Sequence, residues 1–303
     1  MRPLLHLTFL SVLLLAAAPV LAAPGLHDPL DDGPAEAAPD PPPPPGTRIL
    51  RDLAYGEARA QHMDVYIPAH ADHAPAIVMP VIVMVHGGFW ALGDKASAGV
   101  AGAKMAHWVG RGMIFVSVNY RLLREADPVT QAADVGHALA AVQARAAGWG
   151  GDPARILLVG HSAGAHLVAF LAADAGFAKR QGAKPWLGTV SLDSAALDVV
   201  EIMQRTHLRF YNRVFGDKAS YWRQASPLYH LTAAPAPMLL VCSTRRTDSC
   251  PPAKAFAAKA AALGGRVSLL PVEMTHHDIN HRLGEPGAYT EAVDGFLASL
   301  GLP

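Results

Sequence analysis

The five residues Gly160-His161-Ser162-Ala163-Gly164 carry the strongest chemical signal in this chain. A serine hydroxyl is a weak nucleophile until a base takes its proton. Glycines two places to either side let a tight turn lift such a hydroxyl clear of the neighbouring backbone. The surroundings suit that turn: Ile156-Leu157-Leu158-Val159 reads as a short buried strand, and a helical pattern begins at Ala163. Strand, sharp turn and helix in immediate succession make the elbow that presents a nucleophile above a sheet edge. Ser162 is the candidate nucleophile.

The base needs an orienting carboxylate, and on open sheets with this elbow the chain order is Ser, acid, His. Asp248 follows the strand-like run Met238 to Val241, and His276 and His277 follow Val267 to Val272. Both places are carboxyl ends of strands, where open α/β sheets bind ligands. Asp248 is the preferred acid. Asp193, at the end of Thr189 to Leu192, is its rival, with a plainer reading as a residue that binds backbone at the strand exit. Of the adjacent His276 and His277, only one can point at the serine. An oxyanion needs backbone donors, and losing one costs about 10²–10³ in rate. Gly87 and Gly88, after the run Val81 to Val85, and Ala163, after the nucleophile, are the candidates. Gly-Gly alone marks only a turn; its pairing with Ser162 gives it weight. Phe89, Trp90 and His161 are read as substrate-binding residues beside the hole.

These residues require a scaffold, and the sequence supplies one. Apolar, β-branched runs at 62–67, 81–85, 113–118, 156–159, 189–192, 238–241 and 267–272 alternate with Ala-rich helical patterns near 97–110, 129–147, 163–174, 251–264 and 287–300. Such alternation implies an α/β domain with a mostly parallel sheet covered on both faces. The interval 194–237 is too long for an ordinary connection and holds Phe210, Tyr211, Phe215, Tyr221, Trp222 and Tyr229. It reads as a small cap insertion, whose aromatics either wall a pocket or pack the cap itself.

At the amino terminus, a positive start, an apolar run from Leu4 to Ala18 and small residues at Ala22 and Ala23 predict a cleaved signal peptide over 1–23. The run is short for a bilayer span, so no stable membrane span is expected after processing. Residues 24–47, ending in Pro41 to Pro45, read as a Pro-rich spacer, and 48–303 as the folded domain. The protein is therefore expected to be exported, periplasmic or secreted. There Cys242 and Cys250, which bracket Asp248, either form a disulfide holding that loop or remain two buried thiols. With 25 Lys plus Arg against 25 Asp plus Glu and no polybasic run, nucleic acid is a poor partner.

Several motifs in order resemble the carboxylesterase and lipase families of the α/β-hydrolase fold. The resemblance is closest to a group of bacterial esterases, feruloyl and acetyl-xylan esterases and kynurenine formamidases. It rests on His86-Gly87-Gly88-Phe89-Trp90, Gly93-Asp94-Lys95, Asn119-Tyr120-Arg121-Leu122, Gly150-Gly151-Asp152-Pro153 and the Ser162 elbow, and covers about 60–300. It implies an eight-stranded sheet and ester hydrolysis through an acyl-enzyme, with no metal or organic cofactor. Thr275-His276-His277-Asp278-Ile279-Asn280 is similar to the family's Ser-His-X-Glu-Ile-Asn pattern, which implies His276 as base. Residues Cys242 to Cys250 resemble the acid-bearing loop of some members. Phe89 stands where related lipases carry a third glycine; together with the aromatic cap it suggests a small acyl group. Asn119, Tyr120 and Arg121 are expected to tie loops beneath the site. The expected substrate is a small-molecule ester, with a carbohydrate-linked ester as a further option. The competing readings are arylformamide hydrolysis, peptidase activity and a non-catalytic binding protein.

Overall fold

The structure, a computed structural model, describes residues 40–69 and 78–303. The expected signal peptide and the spacer up to residue 39 lie outside the described residues.

Eight strands form one sheet: β1 (Arg48–Ala54), β2 (His62–Ile67), β3 (Met79–Val85), β4 (Ile114–Val118), β5 (Gly151–His161), β6 (Gly188–Leu192), β7 (Met238–Ser243) and β8 (Val267–Val272). Their spatial order is β1-β2-β4-β3-β5-β6-β7-β8. β2 runs antiparallel to β1 and to β4, and every pairing from β4 to β8 is parallel. Parallel strands need crossovers, supplied by α1 (Gly102–Gly110), α2 (Pro128–Arg145), α3 (Ala163–Ala173) with the short α4 (Ala175–Arg180), and later by α9 (Cys250–Ala262). After β8 come α10 (His276–His281) and α11 (Ala288–Ala298).

The central strands are buried on both faces, which is why they read as unbroken apolar runs. Val81, Val83 and Val85 of β3 join the layer beneath α2, α3 and α9, whereas Ile82 and Met84 join the layer beneath α1 and α11. Each such fully buried side chain contributes roughly 1.5–3 kcal/mol of transfer free energy. β1 escaped the sequence reading because it is an edge strand, half exposed along its length, with apolar residues only at Ile49, Leu50 and Leu53 before its last Ala54.

Between β6 and β7 the chain forms four short helices: α5 (Val199–Gln204), α6 (Arg209–Phe215), α7 (Ala219–Ala225) and α8 (Pro227–His230). They occupy the expected cap interval. Phe215 is buried against Trp90 and His166, with ring centroids 5.2 and 6.1 Å away, and Tyr211 stacks on Phe215. Those aromatics pack the cap onto the domain. Phe210 instead meets Phe89 edge to face at 5.1 Å.

Candidate active site

The turn from β5 into α3 places Ser162 at φ 56° and ψ −117°, outside the regions a side-chain-bearing residue ordinarily takes. The two glycines permit it. A Cβ on Gly160 would lie 2.4 Å from the Gly164 oxygen, and one on Gly164 would lie 2.3 Å from the Val85 oxygen. The Ser162 N–H donates to the Leu192 carbonyl at 2.9 Å, fastening the elbow to the end of β6.

The next residue after Leu192 is Asp193, itself at φ 57°, and its N–H donates to Val241 of β7 at 2.9 Å. From there Thr244 N–H bonds to Val272 of β8, and the Ser243 hydroxyl donates to Met274 at 2.6 Å. Thr275 then caps α10 by accepting from the Asp278 N–H, so that His276 is the first residue of the helix. A ladder of hydrogen bonds thus joins serine, acid and histidine across the four adjacent strand ends of β5 to β8.

His276 Nδ1 lies 2.5 Å from Asp193 Oδ2. This corrects the preferred acid: the carboxylate facing the imidazole is Asp193, not Asp248. Asp193 is wholly buried and accepts from Ser243 N–H at 2.8 Å, from the Ser249 hydroxyl and from Arg246 Nη1 at 2.8 Å. Burial opposes its charge, but the hydrogen bond and charge of His276, the Arg246 guanidinium and Ser249 outweigh burial and hold the carboxyl well below the usual range. Asp248 is 31% exposed and pairs with Arg246 at 3.1 Å, so the guanidinium stands between it and the histidine. Of the two adjacent histidines, His277 turns away to stack on His281 at 3.6 Å.

Gly87 runs directly beside the nucleophile: a Cβ there would fall 2.9 Å from that of Ser162. Gly88 (φ 113°) begins a turn that continues through Phe89 and Trp90 at φ 56° and 58°. Two successive bulky residues in left-handed conformation are costly and occur where surrounding structure enforces them, commonly at functional sites. Here the Gly88 carbonyl accepts from the N–H groups of Ala91 and Leu92. Ala163 opens α3, so its N–H has no partner within the helix and is free for a ligand. Gly87 thus passes beside Ser162, Gly88 follows it in the turn, and Ala163 is the next residue along the chain, so the candidate donors lie on two segments that meet at the serine.

Two of the three expected substrate contacts belong elsewhere. Trp90 is 4% exposed and donates from Nε1 to His166 Nδ1 at 3.1 Å, which makes it part of the core under the cap. His161 is buried, its ring 4.5 Å from that of His276 and its Nε2 3.0 Å from the His276 carbonyl. Burial, together with the neighbouring His276, pushes it well below the ordinary imidazole range, so it is neutral and donates to that carbonyl as a brace. Phe89 lies on the turn that follows Gly88 and meets the cap through Phe210. Asn119 ties Asp94 to the Lys95 N–H, and Arg121 holds Asp134 through two nitrogens, as expected of loop ties.

Cys242 and Cys250 are joined in a disulfide that closes the loop bearing Arg246, Asp248 and Ser249. Arg246 and Ser249 went unnoticed in the sequence; the one available signal was a charged Arg245-Arg246 pair enclosed by two cysteines. Lys104 of α1 is also buried behind α10, donating to Gly99 at 2.6 Å and to Asn280, and burial pushes it down to about 7. Among the described residues no three His, Cys, Asp or Glu side chains gather to hold a metal ion, and no helix is long and apolar enough to cross a membrane. A cavity of about 700 Å³, lined partly by Lys179, Lys184 and Trp186, adjoins the opposite ends of the strands.

The BD-FAE family model matches residues 63–255, well over half of the chain and including Ser162, Asp193 and the oxyanion loop. The chain belongs to the BD-FAE family. Among similar proteins, esterase LipQ of Mycobacterium tuberculosis is 31% identical over 242 residues, covering 75% of this chain and 56% of LipQ. A probable isoprenylcysteine alpha-carbonyl methylesterase, ICMEL1, of Oryza sativa subsp. japonica is 33% identical over 123 residues, 41% of this chain and 27% of its own. The chain thus spans less than two thirds of either relative. A truncated carbohydrate esterase from gut microbiota superposes with a TM-score of 0.72 at 17% identity, covering 86% of this chain and 99% of that one. At that identity the likeness speaks for the α/β-hydrolase fold, in agreement with the strand order.

Proposed function

We propose that this BD-FAE member is a serine hydrolase that cleaves carboxylic esters through an acyl-enzyme. The observation that carries the reading is Ser162 on its strained elbow, tied to the strand end whose Asp193 faces His276. Ser162 attacks the ester carbonyl while His276 takes the hydroxyl proton. The N–H groups of Gly87, Gly88 and Ala163 receive the oxyanion, and His276 then returns the proton to the departing alcohol. Water repeats the sequence on the acyl-enzyme and releases the acid. Asp193 holds the imidazole in the tautomer with hydrogen on Nδ1 and balances its charge when protonated.

Phe89 packed against Phe210 supports a short acyl chain such as acetyl, because two aromatic rings meet at the turn that follows Gly88. The disulfide supports an exported protein, since such bonds persist in oxidising compartments. The test is turnover of p-nitrophenyl acetate and octanoate by the chain and by Ser162→Ala. Activity abolished by the substitution, with acetate the faster ester, is the expected result. Equal activity of the two proteins would remove Ser162 from the mechanism, and faster octanoate turnover would refute the short acyl pocket.

A further inference from the structure

Arg246 is a charged side chain that reaches both Asp193 and His276 without a part in the proposed ester hydrolysis. Its Nη1 lies 2.8 Å from Asp193 Oδ2 and 2.7 Å from His276 Nδ1, while its Nε and Nη2 reach the two oxygens of Asp248 at 3.1 and 3.2 Å. The imidazole and the guanidinium therefore converge on the same carboxylate oxygen. When Nδ1–H donates to Asp193, it cannot also accept from Arg246, so the two donors face each other. The guanidinium is permanently charged. It is also held: Asp248 grips it from outside, and the Cys242–Cys250 bridge closes the loop that carries it.

Building on the reading of His276 as the base, we infer that Arg246 is a positioning residue whose fixed positive charge opposes protonation of His276, keeping the base available in more acidic surroundings and driving its proton onto the leaving alcohol. The remaining groups around the ring do not supply that charge. His161, whose ring lies tilted against it from β5, is neutral because burial holds it far down. Tyr211 of α6 and Tyr289 of α11 are partly buried phenols, both pushed up by desolvation, Tyr211 to about 12, so both stay neutral. Lys104 is behind α10, bonded to backbone carbonyls and pushed down to about 7. Asp193 and Asp248 are the anions against which the guanidinium acts, and His277 and Asp278 follow on the helix itself.

The experiment is the pH profile of kcat/KM on p-nitrophenyl acetate for the wild type, Arg246→Gln and Arg246→Lys, with Arg246→Met in reserve should the Gln protein not fold. Loss of the charge is expected to move the acid limb to higher pH by about one unit, while lysine holds it near the wild-type position. A uniform drop in rate with an unmoved acid limb would overturn the inference and leave Arg246 as packing alone. Titration of the His276 ring by NMR in a Ser162→Ala background reads the same shift without turnover. It therefore separates failure of this inference from failure of the proposed chemistry: an unshifted ring refutes the role of Arg246 even if no ester is cleaved.

Discussion

The ends of β6 and β7 lie side by side, and each carries an aspartate. Asp193 leaves β6 in a left-handed turn, wholly buried, with a backbone N–H, a hydroxyl, a guanidinium and an imidazole all directed at its two oxygens. Asp248 sits six residues into a bridged loop, partly exposed, and its one strong partner is Arg246. The same residue type at neighbouring places thus has opposite surroundings. What distinguishes them is not distance along the chain but which carboxylate the sheet edge surrounds with donors. The β7 loop lends its donors to the β6 acid rather than supplying an acid of its own.

The most severe test of that contrast is a pair of substitutions. Asp193→Asn is expected to lower kcat by about 10⁴, as expected when the histidine loses its orienting charge and tautomer. Asp248→Asn should stay within about tenfold, because it only loosens Arg246. Comparable losses in both, measured on one ester with folded protein, would erase the distinction between the two strand ends.

A milder probe opens the loop without touching either acid. Reducing the Cys242–Cys250 bridge, or replacing both cysteines by serine, should lower stability by about 2–3 kcal/mol in a denaturant titration. It should also lower kcat/KM by roughly tenfold, as weakened charge-assisted bonds to Asp193 imply. Unchanged kinetics after reduction would mean that the loop holds Arg246 and Ser249 without the bridge.

The last probe is a reference point that appears only in acid, on the helix that follows Ser162. His166 is fully buried, accepts from Trp90 and lies 2.7 Å from the Ala225 carbonyl, and burial holds it at about 4. An unfolded histidine titrates near about 6.5. Between those values the unfolded chain binds a proton that the native chain refuses, so stability should fall as pH drops from about 6.5 to about 4. His166→Gln should flatten that limb of the urea-midpoint profile, and a slope that persists unchanged would place the acid sensitivity elsewhere.

Much of this was legible in the residues. The strand and glycine pattern around Ser162 identifies the elbow because the turn itself leaves no room for a Cβ at Gly160, while at Gly164 the space is closed by the end of β3. The buried central strands announce themselves too, as apolar runs. Asp193 against Asp248 was a question of tertiary pairing, which no local pattern encodes, since both follow strands in the permitted order. Trp90 and His161 misled because residues beside a nucleophile can face the core as readily as the pocket. β1 was missed because an edge strand that pairs on one side needs few apolar residues.

The placement of the histidine on α10, beyond the last strand, gives the fold a temporal order. The nucleophile and oxyanion loop belong to the middle of the sheet and can be laid down while the carboxyl-terminal third of the chain is still being made. The ring that faces Asp193 follows β8, whose single neighbour in the sheet is β7. In chain order the serine turn and the Gly87-Gly88 loop therefore come first and the histidine last, so the proposed chemistry depends on the final strand pairing of the sheet.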